Sequence, residues 1–248
     1  MSGAVLSVKG AVKRFGSVQA LQGVDLAVNR GEILALLGDN GAGKSTLIKC
    51  LSGVHALDGG EIRLDGVPIV LRSPAQARAG GIETVYQDLA LFDNLSPGEN
   101  FYAGREEAGP AWLPRGLRFL RQKLMDAQTE ALLKRLGVTL PRLDTVVATM
   151  SGGQRQAIAV ARSAMFARKV VILDEPTAAL GQRESGEVLN LVARLRDQGN
   201  AVILITHNMD HVIQLADRAM VLRQGRKVGE IVPDAGSRQE IVSMIIGA

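Results

Sequence analysis

Two hydrophobic periods alternate along this chain of 248 residues: short unbroken apolar runs closed by turn residues, and longer stretches with apolar positions every three or four residues. Residues 33–37, 169–173 and 201–205 are runs of the first kind and predict strands; 169–173 suits a parallel strand buried on both faces. A shorter apolar stretch at 82–86 predicts a further strand end. Residues 4–28 alternate loosely, with turn signals at Gly10, Phe15-Gly16-Ser17 and Gly23, and residues 60–66 close on an Asp65-Gly66 turn pair. Together these two segments predict an antiparallel layer of short strands beside the main sheet.

Helical spacing begins at Leu47, returns over 117–136 through Leu117, Leu120, Leu124, Ala127, Ala131 and Leu132, and continues in an Ala-rich stretch at 152–167 and at 184–197. Residues 104–116 and 143–150 read as loops, and 219–223 with 227–231 flank Gln224-Gly225 as a closing hairpin. The expected architecture is α/β: one domain over 1–248, with a core of parallel sheet and N-terminal antiparallel layer formed by 1–94 and 166–248. Residues 95–165 form an inserted, mostly helical subdomain.

Composition narrows the class. Lys and Arg number 29 against 25 Asp and Glu, a formal net charge of +4 spread without any basic tract; so small an excess suits an anionic membrane surface, RNA or nothing in particular, and no nucleic-acid partner is expected. The local group Arg115, Arg118, Arg121 and Lys123 reads as a solvated helix face. A single cysteine, Cys50, excludes an intrachain disulfide, fits a reducing compartment and is expected as a buried thiol. Lys9, Lys13 and Arg14 interrupt the early apolar residues, which argues against a signal peptide, and no apolar run approaches the 18 or so residues of a membrane span. A membrane role would have to come through a partner.

The chemistry starts at 38–46, Gly38-Asp39-Asn40-Gly41-Ala42-Gly43-Lys44-Ser45-Thr46, a complete phosphate-binding loop between a predicted strand and a predicted helix. Its glycines let successive N–H groups point at phosphate, Lys44 reaches the terminal phosphates, the Ser45 hydroxyl suits Mg²⁺, and the helix start adds its positive end. The core is therefore expected to be of the P-loop NTPase type. Asp174 and Glu175 follow the buried strand at 169–173 and fit metal binding and water activation respectively, the alternative being an exposed acidic turn before Pro176. His207 follows the strand at 201–205 and suits a hydrogen bond to a terminal phosphate or to the attacking water. Ser151-Gly152-Gly153-Gln154 opens a helix and reads either as an ordinary cap or as a second anion site, the latter sensible across a dimer interface. Gln87 could complete the metal or water environment; Phe15 could stack on adenine or plug the antiparallel layer.

Taken in order, these motifs resemble the ATP-binding cassette ATPase family over essentially the whole chain. Besides the phosphate loop, the match places Gln87 at the glutamine loop, Met150-Ser151-Gly152-Gly153-Gln154 at the signature and Val170 to Glu175 at the acidic strand. Ala178-Ala179-Leu180-Gly181 falls at the loop that follows, and His207 at the switch histidine. The resemblance implies ATP and Mg²⁺ as ligands, with ATP contacted by Phe15, Gly38, Asn40, Gly41, Gly43, Lys44, Ser45 and Thr46 of one copy and by Ser151, Gly152, Gly153 and Gln154 of a second copy placed head to tail. It implies metal binding by Ser45, Gln87 and Asp174, and catalytic roles for Glu175, His207, Lys44 and Gln87.

It further implies an integral membrane permease as partner, a periplasmic or extracellular sugar-binding protein acting through it, and a peripheral position on the cytoplasmic face of the inner membrane. Residues 83–91, 175–185 and 206–209 are similar to the monosaccharide-importer branch, here in single-cassette form like the fructose type. Two positions depart from the family pattern: Met150 replaces the commoner Leu, and Gly181 replaces an Asp that usually makes a charged contact between the two sites. The rival readings are a cassette for another small solute and a soluble, ATP-gated regulatory module.

Overall fold

A computed structural model describes residues 3–109, 119–140 and 142–247. The apolar runs form the centre of a parallel sheet: β3 (Ile33–Leu37), β9 (Val170–Asp174) and β10 (Ala201–Ile205). With β6 (Ile82–Val85), β11 (Arg218–Arg223) and β12 (Arg226–Ile231) they make a sheet in the order β12-β11-β3-β10-β9-β6, parallel throughout except for the β11–β12 hairpin. A second, antiparallel sheet runs β2-β1-β4-β5, from β1 (Leu6–Phe15), β2 (Val18–Val28), β4 (Gly59–Leu64) and β5 (Val67–Ile69). The β4–β5 and β11–β12 hairpins close on two left-handed residues, Asp65 with Gly66 and Gln224 with Gly225, the geometry whose twist matches that of the flanking strands.

The unbroken apolar strands are explained by their two covered faces. Along β9, Val170 and Ile172 join the core shared with the antiparallel sheet and α1 (Lys44–Leu51), while Val171 and Leu173 join the core beneath the helices; Ala201, Ile203 and Ile205 against Val202 and Leu204 repeat this split along β10. Each of these side chains is fully buried or within 1 % of it, and burial stabilises by about 1.5–3 kcal/mol for a Val, Leu or Ile. Cys50 is buried in the first of these cores, and burial pushes its thiol up to about 11.

The helical part comprises α3 (Pro97–Tyr102), α4 (Gln122–Leu136) and α5 (Gly152–Phe166), packed with α6 (Gln182–Asp197). Short helices α2 (Pro74–Gly80), α7 (Met209–Leu215) and α8 (Arg238–Ile246) complete the chain. Two reciprocal caps, Ser96 with Glu99 and Ser151 with Gln154, start α3 and α5.

Three local expectations are corrected. Residues 4–28 form two long strands instead of several short ones: Gly10 and Gly23 sit near register slips within the β1–β2 pair, and only Gly16 turns the chain. The helix expected from Leu117 starts at Gln122, because Phe119–Leu120 (β8) pairs with Ala108–Gly109 (β7), inside the expected loop, and the Arg121 N–H donates to the Glu107 carbonyl. Leu117, Arg115 and Arg118 lie outside the described residues; Arg121 and Lys123 are exposed. The buried stripe of α4 is Met125, Thr129, Leu132, Leu133 and Leu136, while Ala127 and Ala131 face solvent, where their small side chains cost little.

Candidate active site

Because β3, β10, β9 and β6 run parallel, their C-terminal ends share one edge of the sheet, and the glycine loop, Asp174 with Glu175, His207 and Gln87 lie at or just beyond those ends. After β3 the chain curls into the glycine loop. A Cβ on Gly38 (φ 143) would lie 2.2 Å from the Leu222 carbonyl oxygen, and one on Gly43 (φ 105) 2.8 Å from that of Ala20. Only glycine fits either place. The loop, Ser45 and Thr46 line a 440 Å³ cavity closed by Gln19, Ala20 and Gln22 of β2 and by the β11–β12 turn. Gly43 caps α1, so the first N–H groups of that helix, which have no carbonyl a turn earlier, open into this cradle. The Lys44 ammonium donates to the carbonyls of Gly38 (2.6 Å) and Asp39 (3.0 Å), at the mouth of the loop. A concave nest of donors with a cation at its rim fits the phosphates of a nucleotide.

Asp174 ends β9, paired in register with Ile205. Its pKa is raised, first by burial and then by the neighbouring Glu175 charge, against opposing pulls from Lys44 and Lys49. A desolvated carboxylate facing the loop lysine is a donor that a divalent cation would relieve, and with the Ser45 hydroxyl at the start of α1 the set suits Mg²⁺. Glu175 has a left-handed backbone (φ 52), held by its N–H donating to the Ile205 carbonyl at 2.9 Å. Its carboxylate meets Nδ1 of His207 at 2.9 Å to Oε2 and 3.0 Å to Oε1. The exposed-turn reading of this pair therefore fails: the Glu175 side chain is only 18 % exposed, whereas that of His207 is 82 % exposed.

A second histidine, missed in the sequence, binds the two loops together. Asn208 caps α7 by accepting the Asp210 N–H on Oδ1 (2.9 Å), which turns its amide nitrogen to Nε2 of His211 (3.2 Å). His211 must then accept at Nε2, and its Nδ1–H donates to the Thr177 hydroxyl (3.2 Å), two residues after Glu175. Burial, the largest influence on this ring, holds its pKa below the ordinary value. The available signal is a second histidine four positions beyond His207.

Other candidates stand apart. Ser151, Gly153 and Gln154 line a different cavity of 720 Å³ with Arg183, Glu184 and Arg194, and none of its lining residues belongs to the glycine-loop cavity. The Ser151 hydroxyl accepts the Gln154 N–H (3.2 Å) and the Gln154 side chain accepts the Ser151 N–H (2.9 Å). A Cβ on Gly153 would lie 2.9 Å from Glu184, whereas one on Gly152 would sit at an ordinary 3.5 Å from Leu180. Gln87 is exposed just beyond β6, and among the described residues no hydrogen bond ties it to Ser45 or Asp174. Phe15 is 44 % exposed, in edge contact with His55 (5.2 Å) and with the Lys13 ammonium 5.5 Å from its ring. It does not plug the antiparallel layer, nor does it line the loop cavity. Among the described residues no helix is long and apolar enough to cross a membrane.

The ABC transporter family matches residues 21–178, from β2 to the loop beyond Glu175. The chain belongs to the ABC transporter ATPase family. The fructose import ATP-binding protein FrcA of Rhizobium meliloti is 48 % identical over 245 residues, covering 98 % of this chain and 94 % of that protein. The xylose/arabinose import ATP-binding protein XylG of Sulfolobus acidocaldarius is 41 % identical, covering 97 % and 93 %. The ribose import ATP-binding protein RbsA 1 of Rubrobacter xylanophilus is 42 % identical over 98 % of this chain and 47 % of its own length, so this ABC transporter ATPase spans about half of that relative. Among solved structures, an ATP-binding cassette of an ABC transporter in its ADP conformation superposes with a TM-score of 0.83 at 25 % identity, covering 99 % of both chains. The single-cassette, sugar-import resemblance drawn from the motifs is shared by the first two relatives, and the P-loop ATPase fold is the one expected.

Proposed function

We propose that this ABC transporter ATPase energises import of a monosaccharide, as two copies that each trap ATP between the glycine loop of one and the Ser151–Gln154 helix start of the other. The observation that carries this reading is the division of the anion-binding features: two donor-rich helix starts lie in separate cavities of one chain. Each leaves one side of a triphosphate uncovered, and a head-to-tail pair would cover both. A bacterial ABC transporter cassette of like fold that is dimeric (TM-score 0.75, 20 % identity) supports a pair of copies. The monosaccharide class is supported by the similarity to the fructose, xylose/arabinose and ribose import ATP-binding proteins.

Within that arrangement Lys44 exchanges its loop carbonyls for the β- and γ-phosphates. Ser45, Gln87 and Asp174, the last through water, would hold Mg²⁺, which neutralises charge that develops on the phosphate oxygens. Glu175 accepts the proton of the attacking water, and Phe15 stacks on adenine from the rim. His207 presents Nδ1 to Glu175, which leaves Nε2 for the terminal phosphate or the water. Closure excludes bulk water and brings the Ser151 and Gly152–Gln154 donors onto the phosphate, so stabilisation is greatest in the closed pair.

The partners would be a membrane permease and, through it, an extracytoplasmic sugar-binding protein, with the ATPase on the cytoplasmic face of the membrane. Residues 95–165 would move as the helical subdomain against the core. Reconstitution with a candidate permease and binding protein, followed by hydrolysis assays across pentoses and hexoses, tests the reading. Sugar-dependent stimulation supports it; hydrolysis indifferent to every sugar but stimulated by another small solute assigns a different cargo.

A further inference from the structure

We propose that Arg162 is a positioning residue for Gln87, clamping the loop after Gln87 to the helix whose first turn carries the Ser151 cap; the proposal rests on the assignment of Gln87 to the metal. Arg162 lies nearly three turns into α5. Its Nη1 donates to the Ala90 carbonyl at 2.9 Å and its Nη2 to the Leu89 carbonyl at 3.2 Å. The guanidinium is largely desolvated, and burial pulls its pKa down. Among the described residues no carboxylate pairs with it. Glu83, the acid whose charge it feels, is bonded to Arg105 at 2.7 Å, and that guanidinium lies 4.2 Å over the Phe166 ring.

A half-buried cation held by two consecutive peptide carbonyls does more than fill space, because an aliphatic side chain would pack there without the desolvation cost. The fork geometry fixes the orientation of both peptides, which a lysine's single point charge would not do. Ala90 is itself left-handed (φ 48) without being glycine, a conformation that needs its surroundings to hold it.

Beyond Ala90 the loop is also fastened to the helical side. The buried Asn100 amide of α3 accepts the Phe92 N–H and donates to the Phe92 carbonyl, and the N–H groups of Ala148 and Val147 donate to the carbonyls of Asp93 and Leu95. Before Gln87 the chain leaves β6 of the core sheet, and one residue past that strand the Tyr86 hydroxyl donates to Ser52 at 2.7 Å. Gln87 and Asp88 are thus a two-residue joint, about 7 Å at full extension, between two anchored bodies. A shift of α5, the element that would meet the partner's nucleotide, is carried by Arg162 into this joint and changes where the Gln87 amide stands relative to the metal.

The test compares the full-length variants Arg162→Lys, Gln87→Ala, their double variant and Arg105→Lys, by calorimetric titration of ATP in EDTA and at increasing Mg²⁺, with the melting temperature recorded for each. Arg162→Lys and Gln87→Ala are expected to leave ATP affinity in EDTA within about twofold of wild type and to raise the Mg²⁺ concentration needed for tight ATP binding roughly tenfold, the usual effect of removing a metal ligand's support. The double variant should be no worse than either single change, because the two act on one step. Arg105→Lys should lower the melting temperature and leave the Mg²⁺ dependence unchanged, which separates positioning from general support. Arg162→Gln provides the same reading should the lysine variant not fold. Wild-type Mg²⁺ dependence in the Arg162 variants beside a shifted Gln87→Ala overturns the clamp alone; wild-type dependence in Gln87→Ala removes the metal assignment and the clamp with it.

Discussion

His207 and Glu175 are in direct contact, with Nδ1 at 2.9 Å and 3.0 Å from the two carboxylate oxygens, although they follow different strands and are separated by 32 positions. Parallel pairing of β9 with β10 brings the two strand ends side by side, and the left-handed turn at Glu175 aims its carboxylate at the ring. The expected base is therefore already oriented by a second group before any nucleotide arrives.

Replacing Glu175 by Gln keeps the shape and removes the proton acceptor. Steady-state hydrolysis should fall by about 10²–10⁴-fold, the range for loss of a general base, while ATP affinity stays near wild type. Normal turnover in the purified variant would sink the assignment of Glu175.

Gly38 and Gly152 make opposite predictions. Gly38→Ala drives a methyl group against the Leu222 carbonyl in a left-handed backbone, at a cost of about 1–3 kcal/mol or more, so urea unfolding should show a lowered midpoint along with lost nucleotide binding. Gly152→Asp places its Cβ at an ordinary 3.5 Å from Leu180, and a carboxylate favours a helix N-terminus. It should melt at or above the wild-type temperature and bind ATP at the glycine loop, yet fail to pair with a second copy because the new charge repels the triphosphate.

Asp174 keeps its carboxylate partly desolvated at the end of β9. Its raised pKa means that the folded chain holds the proton more tightly than the unfolded chain does, so stability falls as pH rises from about the ordinary 3.8 through the folded value. Asp174→Asn removes that penalty. The nucleotide-free variant should melt higher than wild type at neutral pH, with weakened Mg²⁺ dependence of ATP binding, and a lower melting temperature would contradict the burial argument.

His211 gives the reverse slope. Its pKa is depressed, so between that folded value and the unfolded value near 6.5 the unfolded chain binds more protons, and this contribution to stability is full above 6.5 and lost as pH falls through the folded value. Protonation also costs the bond that Nε2 accepts from Asn208. Chemical denaturation from pH 7.5 to 5 should therefore show a decline in stability that is shallower in His211→Gln.

Much of this was legible because the central strands are apolar on both faces and the residues just beyond them are not. Ile33–Leu37, Val170–Asp174 and Ala201–Ile205 gave away the sheet, and the positions just past their ends gave Gly38, Glu175 and His207. The short helices α2, α3, α7 and α8 escaped notice because six to nine residues hold too few turns for a period to show. At Phe119–Leu120 the helical spacing misled, since a ladder to residues 108–109 overrides local pattern. Nothing in the sequence singles out Arg162 within its Ala-rich helix, because its acceptors, Leu89 and Ala90, lie more than 70 positions away.

If two copies of this chain enclose ATP, the Glu175→Gln protein saturated with ATP and Mg²⁺ must scatter light as a pair. Its mass should be twice the 26.3 kDa of one chain, with one nucleotide retained per chain, and should return to the single-chain mass when Gly152→Asp is added. A monomer that holds ATP fully under those conditions overturns the enclosure.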